Sequence, residues 1–155
     1  RYKIEVTQLA PNPKAISLEC ERPADVLPML FLQDDAEAIV MVSAIERNVD
    51  YGNFIILLNR SNRAWVRLLE HREFNPRDTA TDVVDDLVYF RDEDEDVFSV
   101  KCSETLTRER ALAALTIGYR NKGKTLGLYG SDRLPNIALH ARPRGGFSDH
   151  RSWPA

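Results

Sequence analysis

The sequence predicts an α+β fold: an antiparallel meander of roughly four to six strands with two or three helices packed on it. Three observations point there. Apolar runs of strand length recur between turn-rich segments. One amphipathic stretch, 105–122, has helical spacing and helical end signals. The 155 residues, 43% hydrophobic and 29% charged, are enough for one domain with a real core. Residues 1–130 read as a single α+β domain. Residues 131–155, holding Pro135, Pro143, Gly145, Gly146 and Pro154, read as an irregular C-terminal extension.

Taken in order, Tyr2, Ile4 and Val6 alternate with Lys3, Glu5 and Thr7, the pattern of a half-buried strand that Pro11 and Pro13 end. Ala15 to Cys20 alternates again through Ile16, Leu18 and Cys20. Residues 24–32 suit a helical turn or two, with Asp25 at the start and Pro28 in the first turn. From Asp34 the spacing turns helical, placing Ala38, Ile39, Val42 and Ile45 on one face. The β-branched Ile39, Val40 and Val42 keep a strand open as the alternative there.

Phe54 to Leu58 is a continuous apolar run, and Ala64 to Leu69 returns after the turn-rich 59–63, making a hairpin. Asp86 to Phe90 and Asp96 to Cys102 extend the meander around a five-residue acidic turn. In the helix at 105–122, Thr107 is placed to cap, with Glu109 at the positive end. Ala111, Leu112, Leu115 and Tyr119 share a face, Arg120 and Lys122 suit the negative end, and Gly123 follows as a stop.

Charge is segregated. The stretch 82–96 holds Asp82, Asp85, Asp86, Asp92, Glu93, Asp94, Glu95 and Asp96 against one base, Arg91. Val83, Val84, Leu87, Val88, Tyr89 and Phe90 interrupt it, so the acid is mounted on a folded frame and is no solvated tail. A net charge of −3 argues against electrostatic binding to nucleic acid or an anionic membrane. No apolar run reaches the roughly 20 residues that a membrane span needs.

Catalytic and metal signatures are weak. The two cysteines, Cys20 and Cys102, lack metal spacing and read as reduced core thiols of a cytosolic protein, a disulfide being the alternative. His71, His140 and His150 are scattered. Asp92 to Asp96 alternates oxygens like the start of an EF-hand loop, but Val97 and Ser103 stand where such a loop needs glycine and an acid. Gly123-Lys124-Thr125 ends like a phosphate loop without its upstream glycine. No catalytic residue, cofactor or metal ligand is therefore assigned. Asn59-Arg60-Ser61 fits a glycosylation acceptor, a triplet common by chance.

These elements together resemble the first immunity-protein family of bacterial polymorphic-toxin systems, whose members are often paired with deaminase-type toxins. The resemblance covers roughly 50–128. It rests on the strand Phe54 to Leu58, the strand bearing Ala64-Trp65-Val66, and Val88-Tyr89-Phe90. Thr107 to Leu115 then leads into Tyr119 and Gly123. Members typically close that helix with Gly-x-x-Pro and a Trp, and Gly123 to Tyr129 has neither.

The resemblance implies a non-enzymatic, cytoplasmic inhibitor that binds a cognate toxin domain in the producing bacterium. Charge supplies its own rationale, because a toxin acting on nucleic acid carries a basic groove that an acidic face can occlude. The expected partner-binding residues are Asp85, Asp86, Tyr89, Asp92, Glu93, Asp94 and Asp96, with Tyr89 as anchor. The alternatives are a general protein-interaction module and a small ligand-binding domain. The latter would hold an anionic ligand between sheet and helix, with Arg67 meeting it.

Overall fold

The computed structural model describes residues 1–23, 25–26, 28, 35–45, 53–69, 73–78, 86–92, 94–120 and 137–142. The chain is α+β and mostly antiparallel sheet. Its strands are β1 (Tyr2–Ala10), β2 (Lys14–Cys20), β3 (Glu37–Ala44), β4 (Asn53–Leu58), β5 (Arg63–Leu69), β6 (Glu73–Asp78), β7 (Leu87–Arg91), β8 (Val97–Lys101), β9 (Leu106–Thr107) and β10 (Ile137–Arg142). A 3-10 turn, Cys102–Glu104, precedes β9, and the helix α1 spans Arg108–Arg120.

Eight strands form one sheet in the order β10-β6-β5-β4-β3-β1-β2, with β9 also on β5. Cross-strand neighbours make two long apolar rows on one face. One runs Val66, Ile56, Val40, Val6, Ile16 and the other Leu68, Phe54, Val42, Ile4, Leu18. Ala111, Ala114 and Leu115 of α1, with Leu106, pack on this face. The opposite face carries Ile39, Leu57 and Trp65, and there the hairpin β7–β8 lies on the sheet through Phe90 and Phe98. The order of layers is helix, sheet, hairpin. The continuous run Phe54 to Leu58 follows from this, since β4 is buried on both sides and has no solvent face to alternate toward.

Two expectations need correction. The helical spacing read from Asp34 onward does not give a helix over residues 37–44, which form β3, the strand kept open as the alternative. Positions 38, 39 and 42 fit a helical stripe, but they equally fit a strand covered on both faces, and β-branched Ile39, Val40 and Val42 favour the extended form. Among the described residues one helix therefore packs on the sheet, where two or three were expected. Of the helical turns expected at 24–32, Asp25, Val26 and Pro28 are helical and the rest lies outside the described residues.

The second correction concerns the meander. The hairpin at 86–102 does not continue the main sheet but forms a separate two-stranded sheet. The position beside β5 is taken by β6 and β9, which share one edge of it. Between them Asn75, 2% exposed, donates its Nδ2 to the Val66 carbonyl at 2.7 Å, and Arg77 Nε donates to Asn75 Oδ1 at 3.0 Å. Side chains thus replace ladder bonds where β6 parts from β5. Pro76 lies inside β6, which weakens its strand signal. Residues 137–142, within the stretch expected to be irregular, form β10 against β6.

α1 begins where its cap predicts, with Arg110 N–H donating to Thr107 Oγ1 at 3.2 Å. Its first residue, Arg108, is 1% exposed. Through Nη2 it donates to the carbonyls of Ala36 and Asn59, the latter at 2.5 Å. One buried guanidinium therefore joins the start of α1, the entry to β3 and the end of β4. Arg108→Met should lower stability by about 3 kcal/mol, because two buried carbonyls lose a charged donor. The urea midpoint measures it, and a loss below about 1 kcal/mol would contradict this role.

Candidate functional site

The acidic residues lie on the β7–β8 hairpin, and alternation sorts its side chains. Inward, Phe90 and Phe98 are buried, and Val88 and Val100 are half-buried against the same cluster. Their rings stack around Trp65, with centroids 4.8 Å from Phe98 and 6.3 Å from Phe90, and 6.2 Å between the two phenylalanines. Each ring hides roughly 150–250 Å², an upper bound of about 4–6 kcal/mol before entropy is subtracted. Outward, Leu87, Tyr89 and Val97 are 56%, 60% and 62% exposed. They make up most of the large apolar side chains that the described residues expose, and they share one surface.

The turn sets acid along the edge of that surface. Asp92 N–H donates to the Asp96 carbonyl and Glu95 N–H to the Asp92 carbonyl, each at 3.0 Å. Glu95 takes a left-handed φ of 62°. Asp92 Oδ1 accepts from the Asp94 and Asp96 amides, both at 2.9 Å. This is a three-residue hairpin connection whose left-handed residue closes the turn, here with an aspartate side chain completing it from within.

The β4–β5 turn repeats the geometry. Asn59 N–H donates to the Arg63 carbonyl at 3.1 Å, Asn62 has φ 59°, and Asn59 Oδ1 accepts from Ser61 and Arg63. The two turns differ at their first residue. Asn59, 5% exposed, uses its amide Nδ2 to donate 3.0 Å to the Tyr89 carbonyl. An aspartate could not donate there, so buried Asn59 needs its amide while half-exposed Asp92 tolerates a carboxylate.

Arg91 Nε adds a second tether, 3.4 Å from Glu37 Oε1 on β3. A buried, doubly engaged Asn59 is poorly placed to accept a glycan. This tether, Leu87 and Val97 were not among the residues picked from sequence. The alternation of β7 and β8 carried the signal for the latter two, whereas the Asn59 tether depends on how two hairpins stack.

Of the expected partner-binding residues, the structure places Asp86, Tyr89, Asp94 and Asp96 exposed and Asp92 half-exposed on this one hairpin. Asp85 and Glu93 lie outside the described residues. Asp86 accepts the Cys102 amide through its carbonyl at 2.8 Å, prolonging the ladder beyond Leu87. Asp92, Asp94 and Asp96 bring one carboxylate oxygen each within 4.8 Å of one another. An EF-hand is not formed, because Val97 already begins β8 and Ser103 lies in the 3-10 turn.

Elsewhere, Arg67 is 3% exposed and alternates with Val66 and Leu68, so it points to the face opposite α1. Both cysteines are half-buried free thiols. Burial against the core pushes the Cys20 thiol above its ordinary pKa, only partly opposed by the N-terminal charge and an Arg22 backbone hydrogen bond. A raised pKa lowers the thiolate fraction of Cys20 at neutral pH.

No family model matches the chain, and no curated protein matches it. No helix of the described residues is long and apolar enough to cross a membrane.

The matched turns give a paired test. Asn59→Asp should cost about 1–3 kcal/mol, because a carboxylate replaces a donor facing the Tyr89 carbonyl. Asp92→Asn keeps the accepting oxygen and should stay within about 0.5 kcal/mol of wild type. Thermal melts decide it: equal effects of the two substitutions would show that the Asn59 amide tethers nothing.

Proposed function

We propose that this chain is a non-enzymatic binding protein that uses the β7–β8 hairpin to dock on a basic surface of a protein partner. The observation that carries the reading is the outward face of that hairpin: Leu87, Tyr89 and Val97 exposed together, bordered by Asp86, Asp92, Asp94, Glu95 and Asp96. An apolar centre with a charged rim is the anatomy of an interface, in which the aromatic anchor supplies affinity and the rim charges supply steering. The rigid aromatic seat beneath the hairpin limits the ordering cost of binding.

If the partner is the one the resemblance at 50–128 implies, it is a toxin domain, and the reading is that of a cytoplasmic immunity protein. A toxin acting on nucleic acid needs a basic groove, and this hairpin offers acid of the right sign to cover one. The ligand-binding alternative draws no support from Arg67, which faces away from α1.

The direct experiment reads the genes that flank this one and co-expresses the chain with a toxin-domain reading frame found there; a neighbourhood without such a frame would count against the immunity reading. Growth should be rescued and a stable complex isolated, and a toxin equally lethal with and without the chain would refute the immunity reading.

Two variants then test the surface itself. Reversing Asp86, Asp94 and Asp96 to Lys should slow association on the order of tenfold or more at low salt and flatten its salt dependence. Tyr89→Ala should speed dissociation by roughly 30-fold while the fold holds, about 2 kcal/mol of anchor. Stopped-flow association across a salt series and surface-bound dissociation rates read the two effects separately. Association as fast as wild type in the triple variant would remove the acidic rim from the mechanism.

A further inference from the structure

The other end of the main sheet presents a different surface. β2 pairs with β1 along its whole length, Tyr2 with Cys20 through Gln8 with Lys14, and is the last strand of the sheet among the described residues. Its residues Lys14 to Ser17 are all exposed, and Ile16 is 39% exposed. Seven residues long, it contains neither proline nor bulge, so it lacks most of the devices that keep edge strands from pairing.

The two apolar rows that make the core both run out at this edge. One ends at Ile16 and the other at half-buried Leu18. A row that stops at an exposed isoleucine is one cross-strand neighbour short.

The structure assigns that neighbour to a second copy of the chain: we propose that two β2 strands pair antiparallel about a two-fold axis at Ser17, joining two sheets into one. In this register Ile16 lies opposite Leu18 of the second copy, and Leu18 opposite its Ile16. Each apolar row then continues into the other row of the partner, and the helix-bearing faces stay on the same side because the register preserves alternation.

Charge selects the same orientation. β2 has a base at its start, Lys14, and acids at its end, Glu19 and the adjoining Glu21. In this register Lys14 lies opposite Cys20 of the other copy, flanked by Glu19 and Glu21 on the other face of the sheet, so antiparallel pairing brings the basic start of one strand to the acidic end of the other, whereas parallel pairing in register would oppose like charges. Glu19 is already held by Arg1 at 2.8 Å, which keeps the acidic end ordered. The main-chain donors and acceptors of the outer edge find partners in the same step. The β7–β8 hairpin lies against β3, β4 and β5, so neither surface needs the other.

The axis allows a register-specific test. Ser17→Cys puts two thiols opposite each other across the two-fold, at the cross-strand spacing that a disulfide can span. Ala15→Cys, on the same face of the same strand, opposes Glu19 and serves as the control. Under mild oxidation, covalent dimer should form at least tenfold faster from S17C than from A15C. Sedimentation of the wild type at about 100 µM should show dimer, and Ile16→Lys should raise its dissociation constant at least tenfold. A wild-type chain that is monomeric at that concentration, or equal cross-linking of S17C and A15C, overturns the proposal.

Discussion

The fold depends on one constraint, that β3, β4 and β5 carry buried side chains on both faces and must be covered twice. Ile56 and Val40 belong to one cluster while Leu57 and Ile39, their immediate neighbours along the strands, belong to the other. A single helix can satisfy only one of these faces. The second cover is the hairpin β7–β8, and Trp65 is the residue that makes it necessary, because so large a ring cannot be left in water at the middle of a sheet. The display of charge on the hairpin is thus secondary to a packing requirement. The sheet fixes where Phe90 and Phe98 must go, and Tyr89 and the acids then face outward.

Polar groups were fitted around this arrangement without exposing the core. Arg108 and Asn59 meet at the Asn59 carbonyl, so the helix start and the hairpin tether share a residue. At the far side of β5, Asn75, Arg77 and Glu104 form a short chain, with Arg77 Nη2 3.4 Å from Glu104 Oε1 and Glu104 Oε2 accepting the Lys101 amide at 3.0 Å. Arg63 adds a parallel link to Thr105 Oγ1 at 2.8 Å and to the Cys102 carbonyl at 3.2 Å. These bonds fasten the exit of β8 to β5, and the Cys102 amide donating to the Asp86 carbonyl holds the start of β7 beside it.

Much of this was legible in the sequence, and the misses have a common cause. Strands with one wet face declared themselves by alternation, as β1 and the outward Leu87 and Tyr89 of β7 did. The cap at Thr107 and the buried stripe of α1 were equally plain. A strand dry on both faces loses its period, and for that reason Ile39, Val40 and Val42 could pass for one side of a helix. Layer order was invisible for another reason. Periodicity says which residues are buried but not which sheet they are buried against, so 86–102 read as the next strands of a meander. The candidate site followed the same division, its charges and Tyr89 being local features and its Asn59 and Glu37 tethers non-local ones.

Because the hairpin shares no ladder with the main sheet, the molecule has two stabilities and not one. Among the described residues, opening it breaks no pairing with the main sheet; what is lost includes the cluster of three rings, the Asn59 amide hydrogen bond and the Arg91–Glu37 ion pair. Such a unit can unfold by itself at a free energy below that of the whole chain, and its amides would exchange with solvent ahead of those in β4. A ligand held by the hairpin alone would raise that lower free energy in proportion to the logarithm of its concentration. The same increment would carry into the unfolding of the whole chain, because the sheet cannot unfold without losing the hairpin's ligand; only the step from the hairpin-open state to the unfolded chain would be unaltered.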